Sequence, residues 1–128
     1  MIERDGLHDE YPHWGEGSSA GRERRLTELE HERRVSEFIR DLPFLWVDVD
    51  DEPSPQSDRA YLERNAIALV SNYRKDSLDS RSDDWLGRNS PRSEIRDSGL
   101  WNINHVGEED DPAFLDRLDA AVEKTKPP

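Results

Sequence analysis

Residues 60–70, AYLERNAIALV, are the least polar stretch of a very polar chain, so any core has to be built on them. Wound at 3.6 residues per turn, Ala60, Leu62, Ala66, Ile67, Leu69, Val70 and Tyr73 share one broad face, and Glu63 projects between Val70 and Ile67. The pattern predicts a helix with an acid inside its apolar arc. Burying a carboxylate without partners costs several kcal/mol, so a cation, a metal ion or a water-filled cleft has to compensate. Arg59, four residues earlier on nearly the same face, offers an ordinary helix ion pair as the simplest partner.

Composition makes that core small. Of 128 residues, 32% are hydrophobic and 38% charged, near the low edge for a folded protein, and the length suits one domain. Thirty acids face eighteen bases, fifteen of them arginine, for a net charge of −12. A surface this acidic and this poor in lysine is expected in a halophile's cytosol, where molar salt shortens the Debye length to about 3 Å. An ordinary acidic protein kept in solution by its charge is the alternative. The acidity also disfavours simple nucleic-acid affinity, which rests on Lys and Arg displacing counterions, although molar salt weakens that criterion. The absence of cysteine rules out disulfides, thiolate nucleophiles and Cys-based zinc sites. No apolar run approaches the roughly 20 residues of a membrane helix, and MIERDGLHDEYPHW has no apolar signal core. A soluble, cytoplasmic protein without a membrane partner is therefore expected.

Residues 1–21 lack periodicity and read as an irregular N-terminal segment, leaving 22–128 as the domain. GRERRLTELEHERRVSEFIRDL then predicts a helix stopped by Pro43, its second half better packed through Val35, Phe38, Ile39 and Leu42. FLWVDVD, residues 44–50, is apolar on both faces from Phe44 to Val47 and predicts a strand. Ser54 as cap and Pro55 at the first position would open the next helix, ending near Tyr73. A loop from Arg74 to Asn89, anchored by Trp85 and Leu86, leads to a short helix capped by Ser90 and terminated by Gly99. LWNINHV, residues 100–106, is predicted extended, and Asp111 with Pro112 starts a last helix with Phe114, Leu118, Ala121 and Val122 buried. One strand, or two, is too little for an independent sheet, so a partner for Phe44–Val47 is expected from elsewhere.

Few residues suggest chemistry. Asn102, Asn104 and His105 alternate with Leu100, Trp101, Ile103 and Val106, so they either satisfy local backbone groups or rim a cleft. Asn65 and Asn72 fall on the polar side of the Glu63 helix. His8 and His13 have a metal-ligand spacing without a supporting pattern, and GEEDDP lacks the twelve-residue spacing of a calcium loop. There is no serine with a base, no Gly-rich phosphate loop and no basic patch.

YLERNAIALVSNY followed by SDDWLGRNS and IRDSGLWNINHV resembles a subgroup of the GIY-YIG nuclease superfamily, and the resemblance runs from about Glu30 through Leu118. It implies an α+β fold in which a small antiparallel sheet is flanked by helices. FLWVDVD would be its third strand, and RAYLERN its metal-binding helix. Glu63 would then be the catalytic metal ligand, holding Mg²⁺ or Mn²⁺ for hydrolysis of a DNA phosphodiester, with Asn72, Asn102, Asn104 and His105 as cleft residues. The two name motifs, with their tyrosines, and the phosphate-contacting arginine have no counterpart here, so the resemblance covers the back half of the domain. A truncated reading frame, a split protein whose partner supplies the front strands, and a noncatalytic acidic interaction module are the readings that follow, with catalysis by this chain alone not expected.

Overall fold

The computed structural model describes residues 1–14 and 21–125; residues 15–20 of the predicted irregular segment and Lys126 lie outside the described residues. The chain divides into two compact units, Met1–Leu45 and Trp46–Pro128. The boundary thus falls after the long helix and not before it.

In the first unit, helix α1 (Ile2–Asp5) stands where an irregular start was expected. Gly6 ends it at φ 66°, a left-handed conformation open to glycine at little cost, and the Leu7 N–H returns to the Ile2 carbonyl at 3.0 Å. Helix α2 (Arg22–Arg40) matches the predicted span within two residues. Its one fully buried side chain is polar: His31 packs against the Tyr11 ring at 4.9 Å and edge-on to Trp14 at 4.4 Å. The second half of α2 does not pack as expected, with Phe38, Ile39 and Leu42 exposed. Its apolar stripe is broken, and the aromatic residues before the helix gather on the middle of α2 instead of its end.

The second unit is helical. Among the described residues no strand forms, which corrects the expected α+β fold with its small antiparallel sheet. The physical reason is the one already visible in the sequence: an extended segment with no neighbour leaves its N–H and C=O groups unpaired along both edges. FLWVDVD stays irregular, with Phe44 83% and Leu45 100% exposed, and is tied down by the Asp48 N–H donating to Thr125 Oγ1 at 2.9 Å. LWNINHV makes turns, and His105 at φ 62° has a backbone that no strand residue adopts.

Helix α3 (Asp58–Val70) carries the core. Its cap is Ser57, whose Oγ accepts from the Ala60 N–H at 3.1 Å; Ser54 instead closes the preceding turn through its carbonyl. Helix α4 (Ser93–Ser98) packs on a 3₁₀ turn (Leu86–Asn89) and ends at Gly99, φ 77°, as its glycine predicts. Helix α5 (Phe114–Lys124) packs against α3. Leu62 and Ala68 of α3, Phe114 of α5 and Val106 of the intervening loop are buried, while Leu118 and Ala121 are half-buried and Val122 points out at 50% exposure.

Candidate functional site

The site predicted from the sequence begins with Glu63, and α3 turns it the other way. Leu62, Asn65 and Ala68 are the buried residues of this helix. At about 100° per residue, that face centres on Asn65, and Glu63 lies about 160° around from it. Glu63 is exposed, as is Val70 at 47%, which corrects the inward-facing acid. The sequence arc was drawn through Ile67 and Val70, whereas packing against α5 selects Leu62, Asn65 and Ala68. The Arg59 ion pair is not formed either: Arg59 lies 3.7 Å from Asp51 and donates to the Val49 carbonyl at 3.1 Å. Among the described residues Glu63 has no ion pair and no side-chain hydrogen bond. No three His, Asp or Glu side chains converge as a metal-binding group among the described residues, His8 and His13 included.

Asn65, placed by the sequence on the polar side, is instead 5% exposed and bonded through both its oxygen and its nitrogen. Its Oδ1 accepts from the Asp111 N–H at 2.7 Å and its Nδ2 donates to the Tyr61 carbonyl at 2.8 Å. Tyr61 extends the joint: its hydroxyl donates to Asp111 Oδ2 at 2.8 Å, and Arg117 covers its ring at 4.4 Å while pairing with Asp58 at 3.0 Å. The hydrogen bond from Tyr61 holds the Asp111 carboxyl below its ordinary range, and partial burial pushes the Tyr61 hydroxyl up. The only signal for this joint in the sequence is an amide three residues from Leu62, in register with the true buried face.

Just past the end of α3, Ser71 Oγ donates to the Val106 carbonyl at 2.7 Å and accepts from the Tyr73 N–H at 3.1 Å. His105, half-buried, donates from Nδ1 to Glu108 Oε1 at 2.8 Å, and Arg64 grips the other carboxylate oxygen. Together, with His105 first, they hold the Glu108 carboxyl below its ordinary range. Lys75 closes the end of α3 through the Ala68 carbonyl and reaches the Glu108 carbonyl at 3.3 Å. His105 therefore serves a structural clamp, with its left-handed backbone held by that clamp.

The remaining predicted residues separate. Asn102 and Asn104 are exposed on their loop. Asn72 donates its N–H to the Ser98 carbonyl at 3.0 Å, and its Oδ1 is buried without a partner among the described residues. It lines a polar cleft of about 440 Å³ with Lys75, Ser77, Ser80, Arg81 and Arg88. Beside this cleft Trp85 meets Trp101 with ring centres 4.8 Å apart. The structure thus does not gather Glu63, Asn72, Asn102, Asn104 and His105 into one cleft.

No helix of the described residues is long and apolar enough to cross a membrane. No curated protein and no solved structure matches the chain. A family model described as GIY-YIG domain matches residues 1–128, well beyond the Glu30–Leu118 stretch that carries the resemblance. Since that match spans the whole sequence, the chain belongs to the GIY-YIG domain family.

Proposed function

We propose that this chain is a nuclease-type GIY-YIG domain acting on DNA, in which Glu63 supplies the carboxylate for a divalent cation. The observation that carries the reading is the family match over residues 1–128. The geometry around Glu63 supports it in one respect: the carboxylate is exposed, and among the described residues no guanidinium pairs with it, Arg59 turning to Asp51, so it can bind a cation from solvent. Mg²⁺ retains most of its waters and accepts one or two carboxylates, so a single acid is a fitting donor for it. Such an ion, when bound, neutralises charge on a phosphodiester and its leaving oxygen. Glu63 would hold it at the outer face of α3. With neither name motif in the chain, DNA and metal binding, and not turnover by this chain alone, are the activities to expect.

Calorimetric titration with Mg²⁺ and with Mn²⁺ tests the assignment. The wild-type protein should bind either ion, and Glu63→Gln should abolish binding while far-UV circular dichroism stays unchanged. Equal binding by the two proteins, or none by the wild type, would overturn it. A noncatalytic acidic interaction module is the second reading, favoured by the lack of converging metal ligands among the described residues. On that reading divalent ions leave both proteins unaffected.

A further inference from the structure

Resting on the reading of DNA as substrate, we infer that the face formed by Trp101, Trp85 and the cleft of Arg81 and Arg88 takes the unpaired nucleotides of single-stranded DNA.

Trp101 is 60% exposed, a costly arrangement for so large an apolar ring. It is nevertheless supported from one side. Trp85 lies against it at 4.8 Å with the ring planes 55° apart, and Trp85 is itself seated over Gly87, where any Cβ would come within 2.4 Å of the indole. Trp85 thus buttresses Trp101 in a tilted contact, and the rest of the Trp101 indole is offered to solvent, as a base-stacking platform requires. Stacking on an aromatic side chain is available to every base once it is unpaired, and is hidden inside a duplex.

The polar cleft continues from this platform. Gly99, two residues before Trp101, lies so close to the cleft that a Cβ added there would meet Arg81 Cβ at 3.1 Å and Asn72 Nδ2 at 3.4 Å, and Arg88 belongs to the same 3₁₀ turn as Gly87. The volume of about 440 Å³ suits a nucleotide, within the range of ordinary ligand pockets. Arg81, whose Nη1 donates to the Asp97 carbonyl at 3.3 Å, and Arg88, paired with Asp83 at 3.6 Å, keep their further N–H groups as donors for phosphate, tempered by Asp76, Asp83 and Asp97 on the same walls.

Charge singles out this region as well. From Ser71 to Gly107 six basic side chains balance six acidic ones, so the whole net charge of −12 lies outside that segment. A strand approaching elsewhere is repelled, and a duplex, with its broad double row of phosphates, is repelled more than one flexible strand. Because stacking does not depend on counterion release, attachment here should fall less steeply with salt than binding by a basic groove.

The experiment uses the full chain in EDTA, so that metal binding at Glu63 plays no part. Binding of a labelled oligodeoxythymidylate is measured by anisotropy, alongside its duplex with oligodeoxyadenylate and an oligouridylate of equal length. The expected order is single-stranded DNA tightest. Trp101→Ala should weaken it about tenfold, Trp101→Phe should recover most of the loss, and Arg81→Ala should flatten the salt dependence. Duplex or RNA binding as tight as that of the single strand, no binding at all, or a Trp101→Ala protein that binds like the wild type would overturn the inference. Failure of the cation titration with Trp101-dependent binding intact would sink the Glu63 assignment alone, and the converse result would sink this one alone.

Discussion

Asn65 is where the residue scale decides most. Its carboxamide joins α3 to the start of α5 by accepting from one backbone N–H and donating to one backbone carbonyl, both at under 3 Å. Removing such a group leaves the Asp111 N–H without a partner, a penalty of about 1–3 kcal/mol. Asn65→Ala should therefore lower the unfolding free energy from urea titration by that amount, whereas Glu63→Ala, on the opposite side of the helix, should change it by less than about 0.5 kcal/mol. Similar losses from the two substitutions would refute the assignment of the buried face. Both residues are polar, and periodicity had no means of ranking them. The apolar positions of AYLERNAIALV nearly encircle the helix, so the arc could be drawn on either side. What selects the side is Phe114 and Val106, contributed by residues 35 to 50 positions later in the chain.

At the scale of the element, α2 hides a titrating group. His31 is fully buried, neither ring nitrogen has a hydrogen-bond partner among the described residues, and Tyr11 and Trp14 close over it. Burial, first, and then the positive charges of Arg34 and the N-terminus hold its pKa below the ordinary 6.5, against the opposing pull of Asp5 and Glu10. The unfolded chain binds the proton more readily, so the stability associated with neutral His31 is fully present above pH 6.5 and is lost as pH falls from there toward the depressed folded value. The urea midpoint of α2 should drop between neutral pH and about pH 5, and His31→Phe should remove most of that dependence. A flat profile for the wild type would contradict it. The helix itself was legible in GRERRLTELEHERRVSEFIRDL, because its spacing and the Pro43 stop are local. Its contacts were not, because a histidine among charged residues looks solvated until Tyr11 and Trp14 fold back on it. The strand expected at FLWVDVD failed for the complementary reason: apolar content on two faces describes what a strand could bury, while a sheet also needs a neighbouring backbone.

For the whole molecule, self-repulsion at a net charge of −12 is carried by a core of a few buried side chains. Raising KCl from dilute buffer to molar concentration should raise Tm, by roughly 4–8 °C for each kcal/mol of repulsion that is screened. A midpoint insensitive to salt would mean that close pairs such as Arg117 with Asp58 have already neutralised the field. The sequence by itself determined the helices after residue 21, the stops at Pro43 and Gly99, the absence of any cysteine chemistry and the family resemblance, because these depend on neighbours within a turn or on an ordered string of residues. Only the tertiary structure decided that α3 turns Asn65 inward and Glu63 outward, that His105 clamps Glu108, and that the apolar run after Pro43 stays unpaired. Each of these turns on which distant segment is present to supply a packing surface or a hydrogen-bond partner, and periodicity along one segment does not contain that information.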